Sequence, residues 1–295
     1  MYINNNSMSG NVRNNLTAHY SNLATSTERL STGLRVNSAA DDAAGLAIRE
    51  LMRSDITALQ QGVRNANDAI SLLQTADGAL GVIDEKLIRM KELAEQAATG
   101  TYDSTQRLMI ESEYQQMASE ITRIAESTDF NGIHLLNGNL SDNNHNGNID
   151  TPSGKMKIHF GSGNDSAEDY YYIQIGSVTA SSLGVGNSAD KNSAVGFSVS
   201  TQEAAQKSLV GLKNAIVSKD KIRAHLGAMQ NRLENTITNL TAQSENLQSA
   251  ESRISDVDVA NEMTNFVKNQ ILTQSAVAML SQANSMPQMA LSLIR

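Results

Sequence analysis

The spacing of apolar positions divides the chain into helical stretches at both ends and a polar, loop-rich middle. Val12, Leu16, Tyr20, Leu23, Thr27, Leu30 and Leu34 recur every three or four residues, the period that lines one face of an α-helix. The stripe stops around residues 33–37. There Asn37-Ser38-Ala39-Ala40-Asp41-Asp42 offers N-cap side chains and early carboxylates for a second helix. That helix is predicted to be long. Leu59, Val63, Ala66, Ile70, Leu73, Ala76, Leu80, Ile83, Leu87, Met90, Ala94 and Ala97 step by fours and threes, a coiled-coil type seam. Gly62, Gly78 and Gly81 are expected to weaken it locally, at about 1 kcal/mol each relative to Ala.

Thr99-Gly100 closes the long helix, and a third begins near Ser104 with Ile110, Tyr114, Met117, Ile121 and Ile124 on one face. Asp129-Phe130-Asn131-Gly132 then supplies turn chemistry. From Asn137 the composition shifts to Asn, Gly and Asp, which reads as loops. Met156, Ile158 and Phe160 alternate with Lys157 and His159, and Tyr171, Ile173 and Ile175 alternate again, so a β-hairpin is predicted over residues 155–176. Residues 177–200 are Gly/Ser/Asn-rich and are expected to be a solvent-facing loop. The Ser and Thr of 177–193 are candidate O-linked sugar sites there, weighed against a plain polar loop. Helical spacing returns at Thr201 through Leu209, Leu212, Ile216, Leu226, Met229, Leu233, Ile237, Leu240, Leu247 and Ile254. A last helix starts near Val257, with Pro287 expected to break or bend it. Each long seam needs a partner, and the simplest is its counterpart from the other end of the chain. The expected fold is mainly α: a long antiparallel helical bundle or coiled coil formed by the N- and C-terminal halves, with a small β-hairpin region in the middle.

Charge changes this picture at the ends. Between Met1 and Thr27 the only formally charged side chain is Arg13, and between Asn269 and Ile294 there is none. Helices that are weakly charged all round suit a place where many copies crowd together, since like charges on repeated subunits would repel. An assembled structure is therefore expected rather than a monomeric enzyme. The net charge of −8 argues against nucleic acid as a partner. The uncharged C-terminal stretch could span a bilayer by length. It carries Asn269, Gln270, Gln274, Gln282, Asn284 and Gln288, so no membrane span is expected. Met1–Gly10 lacks the basic and apolar regions of a cleaved signal peptide.

Candidate chemistry is sparse. The five histidines, His19, His134, His145, His159 and His225, are not at metal-ligand spacing, and there is no cysteine, so neither a metal nor a cofactor is expected. Asp41-Asp42 is better explained as a helix start than as a catalytic acid pair. Gly161-Ser162-Gly163-Asn164 lacks the Lys and following helix of a phosphate loop, and no Ser sits in a Gly-x-Ser-x-Gly elbow. No enzyme activity is expected.

Longer motifs are more specific. The run Glu28-Arg29-Leu30-Ser31-Thr32-Gly33-Leu34-Arg35-Val36-Asn37-Ser38-Ala39-Ala40-Asp41-Asp42-Ala43-Ala44-Gly45-Leu46-Ala47-Ile48 resembles the N-terminal signature of bacterial flagellin. Arg64-Asn65-Ala66-Asn67-Asp68-Ala69-Ile70-Ser71, Asp129-Phe130-Asn131-Gly132 and the ending Pro287-Gln288-Met289-Ala290-Leu291-Ser292-Leu293-Ile294-Arg295 resemble further motifs of that family, in family order. The resemblance covers about residues 1–136 and 200–295.

The resemblance implies a structural subunit that polymerises into the extracellular flagellar filament for motility. It implies export through the flagellar secretion apparatus, with an export chaperone, a cap protein and hook-junction proteins as partners beside the chain itself. Residues 1–40 with 256–295 would form the terminal filament-core domain. Residues 41–138 with 199–255 would form the long-helix bundle, and 139–198 the hairpin and variable solvent-facing segment. Val12, Leu16, Leu23, Leu30, Leu272, Met279 and Leu293 are the candidate polymerisation residues. The segment from Leu87 to Ala97 is similar to the flagellin stretch read by host Toll-like receptor 5. That similarity implies receptor contacts at Arg89, Leu93, Gln96 and, on the next helix, Glu113. Arg89 and Leu93, at i and i+4, are expected to share a helix face. A hook–filament junction protein shares the N-terminal motif and the helical architecture and is the alternative. An enzymatic insertion of the His-Glu-x-x-His kind has no counterpart in the sequence.

Overall fold

The computed structural model describes residues 6–141, 154–165, 168–186 and 198–294, with the side chains of 290–294 outside the description. The contacts divide the chain into two compact units. One comprises Met1–Ile56 with Ser244–Arg295, and the other Thr57–Gln243. The long antiparallel helices formed by the two halves of the chain, with a small β region between them, are present as the apolar spacing predicts.

In the first unit, helix α1 (Ser7–Thr32) starts on Asn6, whose side chain accepts from the Ser9 N–H, and ends on Gly33 in the left-handed region at φ 73°. The chain then runs beside the return strand. Leu34 bridges Asp256, Arg35 N–H donates to Ser255 O at 2.7 Å, and Val257 N–H donates to Gly33 O at 3.0 Å. Asp41 folds back onto the backbone N–H and the hydroxyl of Ser38 and the N–H of Asn37, which hold its carboxyl below the usual range, and Asp42 accepts from the Gly45 N–H at the start of α2 (Ala43–Ala98). The acidic pair read as a helix start thus divides its work, one residue closing the loop and the other capping the helix.

In the second unit, α2, α3 (Ser104–Ser127) and the long α5 (Gln202–Ser255) share one core. Leu73, Leu80, Ile83, Leu87 and Met90 of α2 meet Tyr114 and Ile121 of α3 and Leu212, Leu226 and Leu233 of α5, all buried. Ion pairs flank the α2–α5 seam: Arg223 with Asp77 at 2.7 Å, and the buried Lys219 with Asp84 at 2.5 Å. Strands β1 (Asp129–Phe130) and β2 (Ile133–His134) form a minimal hairpin. Its two loop residues, Asn131 and Gly132, both have positive φ, which is the reason for Asn-Gly there. Strands β3 (Met156–His159) and β4 (Tyr170–Ile173) pair antiparallel, with Met156 opposite Ile173 and His159 opposite Tyr170, inside the predicted hairpin.

Three local expectations are corrected. Gly62 is not a soft spot in α2. A Cβ there would collide with the backbone carbonyl of Phe160, and Asn65 one turn on donates to His159 O at 2.8 Å. The missing side chain is what lets the hairpin's backbone reach the helix. The stretch after β4 is not all solvent-facing. Val178, Ala180, Leu183, Val185 and Val199 enter the core around the short α4 (Ala180–Leu183), and of the candidate sugar-bearing stretch residues 187–193 lie outside the described residues. Lastly, of the break or bend expected at Pro287 the break is absent, since α6 (Val259–Ile294) continues through it.

Candidate functional site

The two terminal helices lie antiparallel. Asn6 Nδ2 donates to Ala283 O at 2.8 Å and Ser9 Oγ to Asn284 Oδ1 at 2.9 Å, while at the far end Arg29 faces Glu262 at 4.0 Å. That charge pair also suits the helix ends: Arg29 is in the last turn of α1 and Glu262 in the first of α6. The candidate polymerisation residues divide in two. Val12, Leu16, Leu23 and Leu30 on α1 and Leu272 on α6 are half-buried, while Met279 is 57% exposed. Leu293 lies in α6, but its side chain lies outside the described residues.

A surface that the sequence reading did not single out lies on α6. Val259, Met263, Val267 and Ile271 follow each other at spacing four, and all are exposed. Met263, Val267, Ile271 and Leu272 line a shallow apolar groove with Thr264 and the stem of Lys268. The stripe is exposed apolar surface on a helix that α1 covers on one side only. The signal was present in the fourfold spacing of these residues.

On the second unit, Arg89 projects from α2 and grips α3. Its Nε and one terminal nitrogen donate to Glu113 Oε1 at 3.1 and 2.8 Å, and the other terminal nitrogen donates to Glu92 at 3.0 Å. The Glu113 carboxylate, then Glu92, raise the Arg89 guanidinium above its ordinary value. Both Arg89 and Glu113 are open to solvent, with side chains 48% and 42% exposed. Gln96 is exposed and donates to the Tyr102 hydroxyl at 2.9 Å. Leu93 is placed differently. It is 2% exposed and belongs to the core, so it underlies this face instead of forming part of it. One helical turn apart, the two therefore differ in exposure: the Arg89 side chain is open to solvent, and Leu93 is packed in the core.

Among the described residues no group of His, Cys, Asp or Glu could hold a metal ion, and no helix is long and apolar enough to cross a membrane. The arrangement is one of surfaces and seams. Residues 3–141 match the bacterial flagellin N-terminal helical region and residues 209–294 the flagellin C-terminal helical region. Flagellin FlaB2 of Treponema pallidum is 41% identical over 91% of each chain, and the flagellin of Bacillus subtilis is 41% identical over the whole of both. The chain belongs to the bacterial flagellin family.

Flagellins are structural filament proteins, and the terminal helix pair described above lies within the two matched regions. A solved chain described as a flagellar hook-associated protein, from Vibrio parahaemolyticus, is similar at a TM-score of 0.55 and 14% identity, covering 73% of this chain and all of that one. At that identity the likeness concerns the fold alone.

Proposed function

We propose that this chain polymerises with copies of itself into the filament of an extracellular bacterial flagellum. The observation that carries the reading is α6. It is free of charge from Asn269 to Ile294, and it keeps an exposed apolar stripe after α1 has covered one side. Neighbouring copies would cover the rest. Residues 1–40 with 256–295 are the proposed filament core, 41–138 with 199–255 the bundle around it, and 139–198 the outer segment. Alone, the terminal segments bury too little apolar area to offset their ordering entropy, so they order only on assembly. Export through the flagellar secretion apparatus, a chaperone that holds the C-terminal segment and a cap protein at the growing tip belong to the same reading.

Deleting residues 257–295 tests it: a soluble helical fragment that no longer polymerises is expected, and filaments from that truncation would refute the assignment. Electron microscopy of heated and cooled full-length protein separates this role from that of a hook–filament junction protein, since long tubes are expected only of the filament subunit. Hydrogen exchange in dilute solution should show the two ends unprotected.

The exposed Arg89–Glu113 pair, with Gln96 alongside, supports a second role as a surface read by host Toll-like receptor 5 in the unassembled chain. Arg89→Ala with Glu113→Ala should abolish receptor activation while leaving the helical signal unchanged. Full activation by that double variant would remove this role.

A further inference from the structure

The α1–α6 seam has a register problem. From Asn269 to Ile294 α6 carries no charge, and its apolar residues are not confined to the face that α1 covers, so sliding α1 along α6 by one turn would exchange one set of uncharged contacts for another of similar worth. Something polar must specify the alignment, as single polar groups do in coiled coils. Pro287 supplies it. A proline has no N–H, so the carbonyl four residues earlier in its helix loses its ordinary partner. That carbonyl belongs to Ala283, which is 4% exposed and cannot turn to water instead. The structure gives it Asn6, whose Nδ2 donates to Ala283 O at 2.8 Å. The same Asn6 amide uses its oxygen to cap α1 by accepting from Ser9 N–H at 3.0 Å. Both ends of one side-chain amide are therefore used, one to start α1 and one to fix where α1 sits on α6.

We propose that Asn6 and Pro287 form a register lock for the terminal helix pair. Neighbouring carbonyls on α6 already accept from the helix's own N–H groups, so Asn6 has one address there. A slip of one turn would bring it to an occupied carbonyl and leave Ala283 O buried and unpaired. The Arg29–Glu262 pair, about 35 Å away at 1.5 Å per residue, holds the other end of the same alignment. Asn6 and Pro287 are positioning residues for assembly. This consequence rests on the filament reading, whereas the lock itself does not.

The chain has no cysteine, so engineered pairs report register directly. Ser9→Cys is combined in turn with Asn284→Cys, Leu280→Cys and Gln288→Cys, and disulfide yields are compared in filaments and in the soluble full-length chain. In the soluble chain, whose ends order only on assembly, the total disulfide yield should be low, but among the disulfides that form in either preparation the 9–284 pair should dominate. Asn6→Asp keeps the cap acceptor but removes the donor and sets a carboxylate against the carbonyl. It should lower the ratio of 9–284 to the shifted pairs by about tenfold. Pro287→Ala restores the N–H that Ala283 O lacks, so in that background Asn6→Asp should change the ratio by no more than about twofold. A ratio indifferent to Asn6→Asp, an equal effect of Asn6→Asp in both backgrounds, or no 9–284 disulfide in either preparation overturns the lock. Failure of the parent Cys variants to form filaments counts against the filament reading and leaves the soluble-chain comparison to decide the lock.

Discussion

Gly62→Ala should destabilise this protein, although helix propensity alone says the reverse. In an open helix interior, exchanging Gly for Ala gains about 1 kcal/mol. Gly78 and Gly81 lie in the same helix with nothing near the position of an added Cβ, so Gly78→Ala should show that gain. At Gly62 the added methyl meets the carbonyl and Cα of Phe160, which are backbone atoms and cannot rotate aside. Phe160 is itself fixed: its ring is buried and lies 4.6 Å from that of Tyr171, and its N–H donates to Asp169 O at 2.9 Å. Relief therefore means moving the hairpin off α2, at about 1–3 kcal/mol for overpacking and with the Asn65–His159 bond at risk. The two glycines should differ by roughly 2–4 kcal/mol, the sum of a gain at one and a loss at the other. Urea unfolding of the full chain followed by circular dichroism measures it. At about 2–4 °C per kcal/mol for a body of this size, a thermal scan should place Gly62→Ala clearly below the parent and Gly78→Ala above it. Faster exchange of the β3–β4 amides in Gly62→Ala would locate the damage. If both variants were stabilised alike, the close approach at Gly62 would be wrong.

Leu93→Ala should cost about 2–5 kcal/mol because it opens a cavity in the three-helix core. Arg89→Ala, at an exposed ion pair, should stay within about 1 kcal/mol of the parent. Urea midpoints separate the two, and equal losses would refute the placement of Leu93. Lys219→Met should cost about 3 kcal/mol at most, since Asp84 and Asp220 keep enough exposure to hydrate once the ammonium is gone. Burial works against the Lys219 charge, but hydrogen bonds and charge from Asp220 and Asp84 outweigh it and raise its pKa. A raised folded-state value means that its contribution is complete below the ordinary lysine value of 10.5 and is lost as pH rises through the higher folded one. The stability gap between parent and Lys219→Met should therefore be constant at neutral pH and shrink above about pH 10.5. A gap that widened there would reverse the sign of the coupling.

Much of the architecture was legible along the chain because helices of this length announce themselves by period. The stripes from Leu59 to Ala97 and from Leu209 to Ile254 could be buried only as helix faces, and the alternation around Met156–His159 only as a strand. Asn131-Gly132 required a tight turn by its own backbone preferences. The unusual charge pattern of the ends, and the exposed Arg89, could also be read from residue type and spacing. These are local or periodic properties, and a linear text records them.

What only the tertiary structure decided depends on which atom meets which across long separations in sequence. Gly62 reads as a weakness until Phe160, distant in the chain, arrives against it. Leu93 shares a helix face with Arg89 by arithmetic, yet the packed core buries the one and leaves the other in water. Val178, Leu183, Val185 and Val199 look like scattered apolar residues in a polar loop, since no period marks a segment that enters the core irregularly. Pro287 signals a break in any helix taken alone. It is tolerated here because Asn6, at the other end of the sequence, satisfies the carbonyl that it leaves without a partner. Periodicity along the chain reports which side of an element avoids water, but the identity of the neighbour on that side is a property of the folded molecule.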